Sequence, residues 1–265
     1  MRRNGPFALA FHALFMAFML APLVVVALVA FTPDGYLSLP LHGPSLRWFR
    51  AIGDDPDFMR SFWISVKLGL CAATLATAAV LPAALAIGRR RFPGREAILA
   101  LVMSPLMMPA VVLGVGLLRL LTLVGLQGSF VGLVLCHAVV IGPYVLRMVL
   151  AAVAGLDADL DRAAVSLGAS PLVAFWRVTV PLLASGIVGG WILAFVTSFD
   201  ELTVTIFVSS PQVTPLPLRL FSYVAQTTDP LVASVSALIM GLTTVLLILL
   251  DRLYGVDRLF SGARR

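Results

Sequence analysis

Charge is scarce in this 265-residue chain: Asp, Glu, Lys and Arg together make up 12% of it, against 60% hydrophobic residues. A soluble domain carries roughly a quarter charged residues, and a water-facing surface cannot be assembled from half that supply. A soluble globular enzyme is thereby excluded. Lysine is nearly missing, Lys67 being the sole example, and glutamate is confined to Glu96 and Glu201. The two cysteines, Cys71 and Cys136, sit inside apolar runs without CxxC spacing, so neither a disulfide framework nor a zinc site is indicated. No GxxxxGK-S/T phosphate loop occurs, so the chain does not hydrolyse ATP itself. No nucleophile, base and orienting group are gathered in a recognisable catalytic pattern.

What the chain does have is long apolar runs. A bilayer core takes about 20 apolar residues as a helix, and six runs reach that length: Ala8–Phe31, Phe62–Ile87, Ala97–Leu118, Phe130–Val153, Gly186–Val208 and Leu231–Leu250. They are continuous rather than alternating, which excludes a β-barrel. The first follows Arg2 and Arg3 but exceeds the roughly 7 to 15 apolar residues of a signal peptide, so it is expected to be a retained span. The net charge of +6 suggests topology rather than nucleic-acid binding, because the arginines fall between the runs. With the N-terminus inside, Arg2, Arg3, Arg89, Arg90, Arg91, Arg95, Arg147, Arg162, Arg177, Arg252, Arg258, Arg264 and Arg265 share one side. Arg47, Arg50, Arg60, Arg119, Arg219 and Lys67 take the other. That asymmetry predicts both termini in the cytoplasm.

Two polar segments interrupt this apolar chain. The first, Leu156 to Pro181, joins the fourth and fifth runs, and a connection of this length is usually functional. Asp157, Asp159 and Asp161 stand where a helix N-terminus favours negative charge. Ala163 and Ala164 favour helix, Gly168 permits a left-handed exit, and Pro171 suits the first turn of a new helix. Leu160, Ala163, Ala164 and Leu167 form an apolar face. Amphipathicity alone leaves two readings open, a helix lying on the membrane surface and one docked on a protein.

The spacing resembles the EAA loop of ABC-importer permeases, in which E-A-A is followed by three residues, Gly, nine residues and I-x-L-P. Here Arg162-Ala163-Ala164, Gly168 and Val178-Thr179-Val180-Pro181 stand at those intervals. Arg162 departs from the family's Glu, although Asp161 precedes it. The resemblance implies an all-α transmembrane, six-helix type I importer permease fold, one domain over 1–265, with residues 156–181 forming a cytoplasmic coupling loop. It also implies partners: cytoplasmic ATPase subunits that bind the ATP, a second homologous permease, an extracytoplasmic substrate-binding protein and the lipid bilayer. No nucleic acid and no cofactor in this chain are expected. The location implied is the bacterial cytoplasmic membrane.

The second segment is Thr197-Ser198-Phe199-Asp200-Glu201 in the fifth run. An Asp at the centre of a span costs about 2.5 to 3.5 kcal/mol on insertion scales, so these acids are expected to face a cavity, a partner or a substrate. On a continuous helix Thr197, Ser198, Glu201 and Thr205 share a sector roughly 100° wide, with Asp200 about 60° outside it. At 1.5 Å per residue the acids lie about 21 to 23 Å beyond Gly186. They either pair with Lys67 or Arg119, snorkel outward, or line the path of a cationic substrate. Ser-Phe-Asp-Glu followed by Leu216-Pro217 resembles the spermidine and putrescine permeases, whose substrates are cationic amines. Permeases for anions, sugars or iron complexes share much of the pattern. A free-standing secondary transporter is the rival from another class, and the absence of an inverted repeat argues against it. His12 and His137, in separate runs without ligand-like spacing, are expected to be packed or bonded to partners, and Gly186-x-x-x-Gly190 to allow close helix approach.

Overall fold

The computed structural model describes residues 5–156 and 159–254. Asp157 and the terminal arginines Arg2, Arg3, Arg258, Arg264 and Arg265, on which part of the loop and topology expectations rest, lie outside them. In chain order the helices are α1 (Pro6–Val29), α2 (Arg47–Asp54), α3 (Pro56–Arg89), α4 (Arg95–Met107), α5 (Ala110–Leu123) and α6 (Phe130–Ala154). Then come α7 (Asp159–Ser166), α8 (Pro171–Ala174), a π turn (Phe175–Thr179) and α9 (Val180–Leu182). The last are α10 (Ala184–Phe199), α11 (Thr203–Val208), α12 (Leu216–Val224) and α13 (Leu231–Tyr254). Among the described residues the only bridge pairing is the isolated Ser210–Val213 contact.

All six apolar runs fall on helices. Three helices are long and apolar enough to cross a membrane unbroken, Phe7–Val29, Pro56–Arg89 and Phe130–Ala154; two bent helix pairs bring the number to five, and Leu231–Val245 is a shorter apolar helix. Two of the runs, the third and the fifth, are not continuous helices. The third run turns by 110° between α4 and α5. Its cause is Pro109, which disfavours helical geometry at the preceding residue; Met108 is extended, at φ −94° and ψ 140°. The fifth run ends as a helix at Phe199 and resumes at Thr203.

The chain divides into two compact units. One comprises residues up to Arg60 together with Leu220–Leu246. Here the Ser234 hydroxyl donates to the Ala30 carbonyl across 2.9 Å, Trp48 Nε1 donates to the Asp34 carbonyl, and Phe58 packs edge-on against Tyr223. Burial and a hydrogen bond to Asp229 push the Tyr223 hydroxyl above the usual phenol range.

The other unit, Ser61–Arg219 with Leu247–Arg265, holds the polar segments. Its core contains a stripe on α3 at every fourth residue (Leu68, Ala72, Ala76, Val80, Ala84) and one on α6 (Ile141, Val145, Val149, Val153). Between helices in lipid, association rests on close packing rather than on expelling water, which favours small residues. Gly186 and Gly190 show this directly. A Cβ at Gly186 would lie 2.4 Å from the Ala152 Cβ and 3.1 Å from the Met148 carbonyl, and one at Gly190 would lie 3.2 Å from the Met148 Cβ. The α10 backbone therefore rests on α6. Gly186→Val is expected to destabilise the protein by about 1 to 3 kcal/mol through overpacking. Gly116→Ala, where an added Cβ meets nothing within 4 Å, is the matched control. Thermal unfolding of the two variants in detergent measures the difference.

Candidate functional site

The connection between α6 and α10 is built from stiff pieces. Asp159 and Asp161 occupy the first turn of α7, where the helix dipole favours acids. Its far end is closed by a glycine cap: Gly168, at φ +91°, donates to the Val165 carbonyl, and Ala169 donates to the Ala164 carbonyl. This paired pattern satisfies the last carbonyls and needs a left-handed residue. Ser170 then caps α8, its side chain accepting from the Val173 N–H across 3.3 Å, and Pro171 takes the first position.

The stretch from Leu172 to Pro181 is helical as well. It runs through the π turn, in which the Val180 N–H bonds back to the Phe175 carbonyl. Proline cannot donate, and its ring crowds the carbonyl four residues back. Pro181 stands in that relation to Arg177, and the wider turn relieves the crowding. A 66° bend at Leu183 separates this segment from α10.

No residue of α7 is buried. Ala163 and Gly168 are exposed and Ala164 is half-buried. Arg162 points outward, its side chain 78% exposed, and pairs with Asp159 at 3.2 Å. A pair this open to solvent adds little. Leu167, Leu172 and Trp176, exposed by 89%, 68% and 61%, add apolar surface that the chain itself leaves uncovered.

The second polar segment is a break between two helices. Asp200 caps the C-terminus of α10 and is exposed. Glu201 is half-buried, and its Oε1 accepts from the Val204 N–H at 2.8 Å, so this carboxylate caps α11. Neither acid forms an ion pair with Lys67, Arg119 or any other described residue. Thr197 donates to its own helix at Leu193. Ser198 is buried, and so is Thr205. The shared helical sector expected for Thr197, Ser198, Glu201 and Thr205 does not form, because the helix stops between them.

Ser198 and Thr205 are nevertheless brought together by a residue of α6. His137, with no exposed surface, has Nδ1 at 2.9 Å from the Ser198 Oγ and Nε2 at 3.0 Å from the Thr205 Oγ1. Thr205 spends its hydroxyl proton on the Glu201 carbonyl at 2.7 Å. It therefore accepts from Nε2–H, and Nδ1 accepts from the Ser198 hydroxyl. One proton on the ring completes the network, which ties both helix ends of the break to α6. A lone histidine in an apolar run hinted at partners of this kind, but nothing in the sequence named them. His137→Phe leaves the buried Ser198 hydroxyl without its acceptor, at a cost of about 1 to 3 kcal/mol, and removes one of the two partners of Thr205. Lower thermal stability and a lower maximal rate of uptake are expected together. A maximal rate equal to wild type at matched abundance would show that the break does not need this anchor.

Long apolar helices, a rigid solvent-exposed connection between two of them and an acid-bearing break define a multi-pass membrane transport subunit. The chain belongs to the family described as binding-protein-dependent transport system inner membrane component, which matches residues 80–255; it is an inner-membrane permease of the ABC-importer type. A spermidine/putrescine transport system permease protein from Haemophilus influenzae is 31% identical over 240 residues, covering 91% of this chain and 93% of that protein. A putrescine transport system permease protein from Escherichia coli K12 is 29% identical over 245 residues, covering 90% and 87%. Among solved structures, a bacterial ABC transporter involved in the import of the acidic polysaccharide alginate superposes with a TM-score of 0.68 over 94% of this chain and 97% of that one, at 13% identity. That likeness concerns the fold.

Proposed function

We propose that this chain forms half of the translocation path of an ABC importer for a small cationic solute of the polyamine class. A separate ATPase binds and hydrolyses the ATP. The carrying observation is the segment between α6 and α10, in which a glycine cap closes α7 and Ser170 caps α8, yet which presents Leu167, Leu172 and Trp176 to solvent. Apolar side chains on a stiff projecting element suit the groove of a protein partner, and a stiff element passes a rigid-body displacement onward. The coupling residues are Arg162, Ala163, Ala164, Gly168 and Pro181.

The termini and this loop lie in the cytoplasm. A second homologous permease completes the path within the bilayer, and a soluble binding protein delivers substrate from outside. ATP binding closes the ATPase dimer, α7 follows it, and the two permeases rock to open the path outward. Asp200, Glu201, Thr197 and Ser198 belong to the substrate side of the path. Asp200 is the acid that meets the solute, since its carboxylate is exposed and bears no partner cation among the described residues. Polyamine specificity is supported by the two relatives of similar length and by the chemistry of that acid.

The test is reconstitution with the ATPase, permease and binding-protein subunits that co-purify with the chain. ATP-dependent accumulation of labelled spermidine or putrescine supports the proposal. Accumulation of an oxyanion instead would move the substrate class, and uptake by the chain alone in liposomes would make it a secondary carrier.

A further inference from the structure

Arg89, the last residue of α3, reaches the loop. Its Nη1 donates to Asp161 Oδ2 of α7 and lies 3.5 Å from the Thr179 Oγ1 in the π turn. The Thr179 hydroxyl donates to Asp161 Oδ1 at 2.8 Å. The three side chains close a triangle drawn from positions 72 and 90 residues apart. Thr179 is 1% exposed, and Arg89 and Asp161 are 23% and 28% exposed at their side chains. Charge-assisted bonds sheltered to this degree hold geometry better than open surface pairs do.

The carboxylate that meets the end of α3 comes from position 161, not from position 162. One residue along a helix is about 100° around it. Arg162 accordingly faces solvent, whereas Asp161 faces the end of α3. The remainder of α7 is unburied, and through the triangle it gains a tie to α3, a helix distant in the chain.

We infer that Arg89, Asp161 and Thr179 form a clasp that delivers the displacement of α7 to α3, so that Arg89 is a positioning residue for energy coupling. This rests on the proposed importer function. The clasp can be separated from simple stabilisation, because its loss wastes ATP rather than merely lowering the amount of working transporter.

The experiment uses the full complex with its ATPase and binding protein, wild type against Arg89→Ala, Asp161→Ala and the double variant. Uptake and ATP hydrolysis are read at matched abundance. The clasp predicts that each single variant lowers uptake about fivefold or more, and that the double is no worse than the poorer single, since the partners act as one. It also predicts more ATP hydrolysed per molecule imported, with the ATPase subunit still bound. Thr179→Val, which keeps the volume and removes the hydroxyl, gives the same readout in milder form if the alanine variants fail to accumulate. Full uptake in the single variants overturns the clasp. So does a double variant showing the product of the two losses, about twenty-five-fold, or an unchanged ratio of ATP to substrate. A wild-type chain that neither retains an ATPase nor transports with one would sink the importer function itself, which is a different failure.

Discussion

Gly168→Trp should leave the protein in the membrane at near-normal amounts while cutting binding-protein-dependent uptake tenfold or more, a change equivalent to about 1.4 kcal/mol or more. Two effects combine. Gly168 sits at φ +91°, where a side chain costs roughly 1 to 2 kcal/mol against the following carbonyl. That cost falls on the cap that ends α7, not on a spanning helix. An added Cβ meets nothing within 4 Å, so the indole projects outward, next to Leu167, onto the surface assigned to the ATPase. Gly168→Ala carries the backbone strain without the bulk and should fall between the two. Pull-down of the ATPase subunit alongside uptake checks the assignment. Full transport by the tryptophan variant would remove this face from the interface.

Neutralising the acids of the break should have the second large effect, and the structure divides it unequally. Asp200 is exposed and, among the described residues, bears no partner cation. Asp200→Asn removes charge while keeping the shape. Loss of one charge-assisted contact with an amine is worth about 1.5 to 3 kcal/mol, so uptake at low substrate concentration should drop roughly ten- to hundredfold. Glu201→Gln keeps an oxygen able to accept from the Val204 N–H and should be milder. Glu201→Ala loses that cap and should cost about 0.5 to 2 kcal/mol of stability. Uptake of labelled putrescine across a concentration series, at matched expression, separates the three. Equal uptake by Asp200→Asn would take this carboxylate off the substrate path.

Much of the fold was legible because apolar length and punctuation act locally. The run Phe130–Val153 became a helix over Phe130–Ala154, started by Ser129, whose side chain accepts from the Gly132 N–H. The short helix before Gly168 and the fresh start at Pro171 were likewise written in residues whose backbone preferences are strong. The third run bends by 110° at Pro109; a proline in an apolar run signals a kink and does not fix its angle. The fifth run breaks for a different reason. No proline or glycine marks its break, and the interruption depends on Glu201 folding its carboxylate back to cap α11. The ties of His137 to Ser198 and Thr205, and of Arg89 to Asp161, join residues far apart in the chain. Arg89 was weighed only as one of a topogenic cluster, because a charge count along the chain does not reveal which arginine turns inward.

The wide turn at Phe175–Thr179 sets the phase between two obligations of one short segment. On one side Thr179 must meet Asp161; on the other, Gly186 and Gly190 must face α6. Each residue added to or removed from a helix rotates everything beyond it by about 100°. Tightening this turn into ordinary helix would leave the two faces out of step, so the segment tolerates substitution more readily than a change of length.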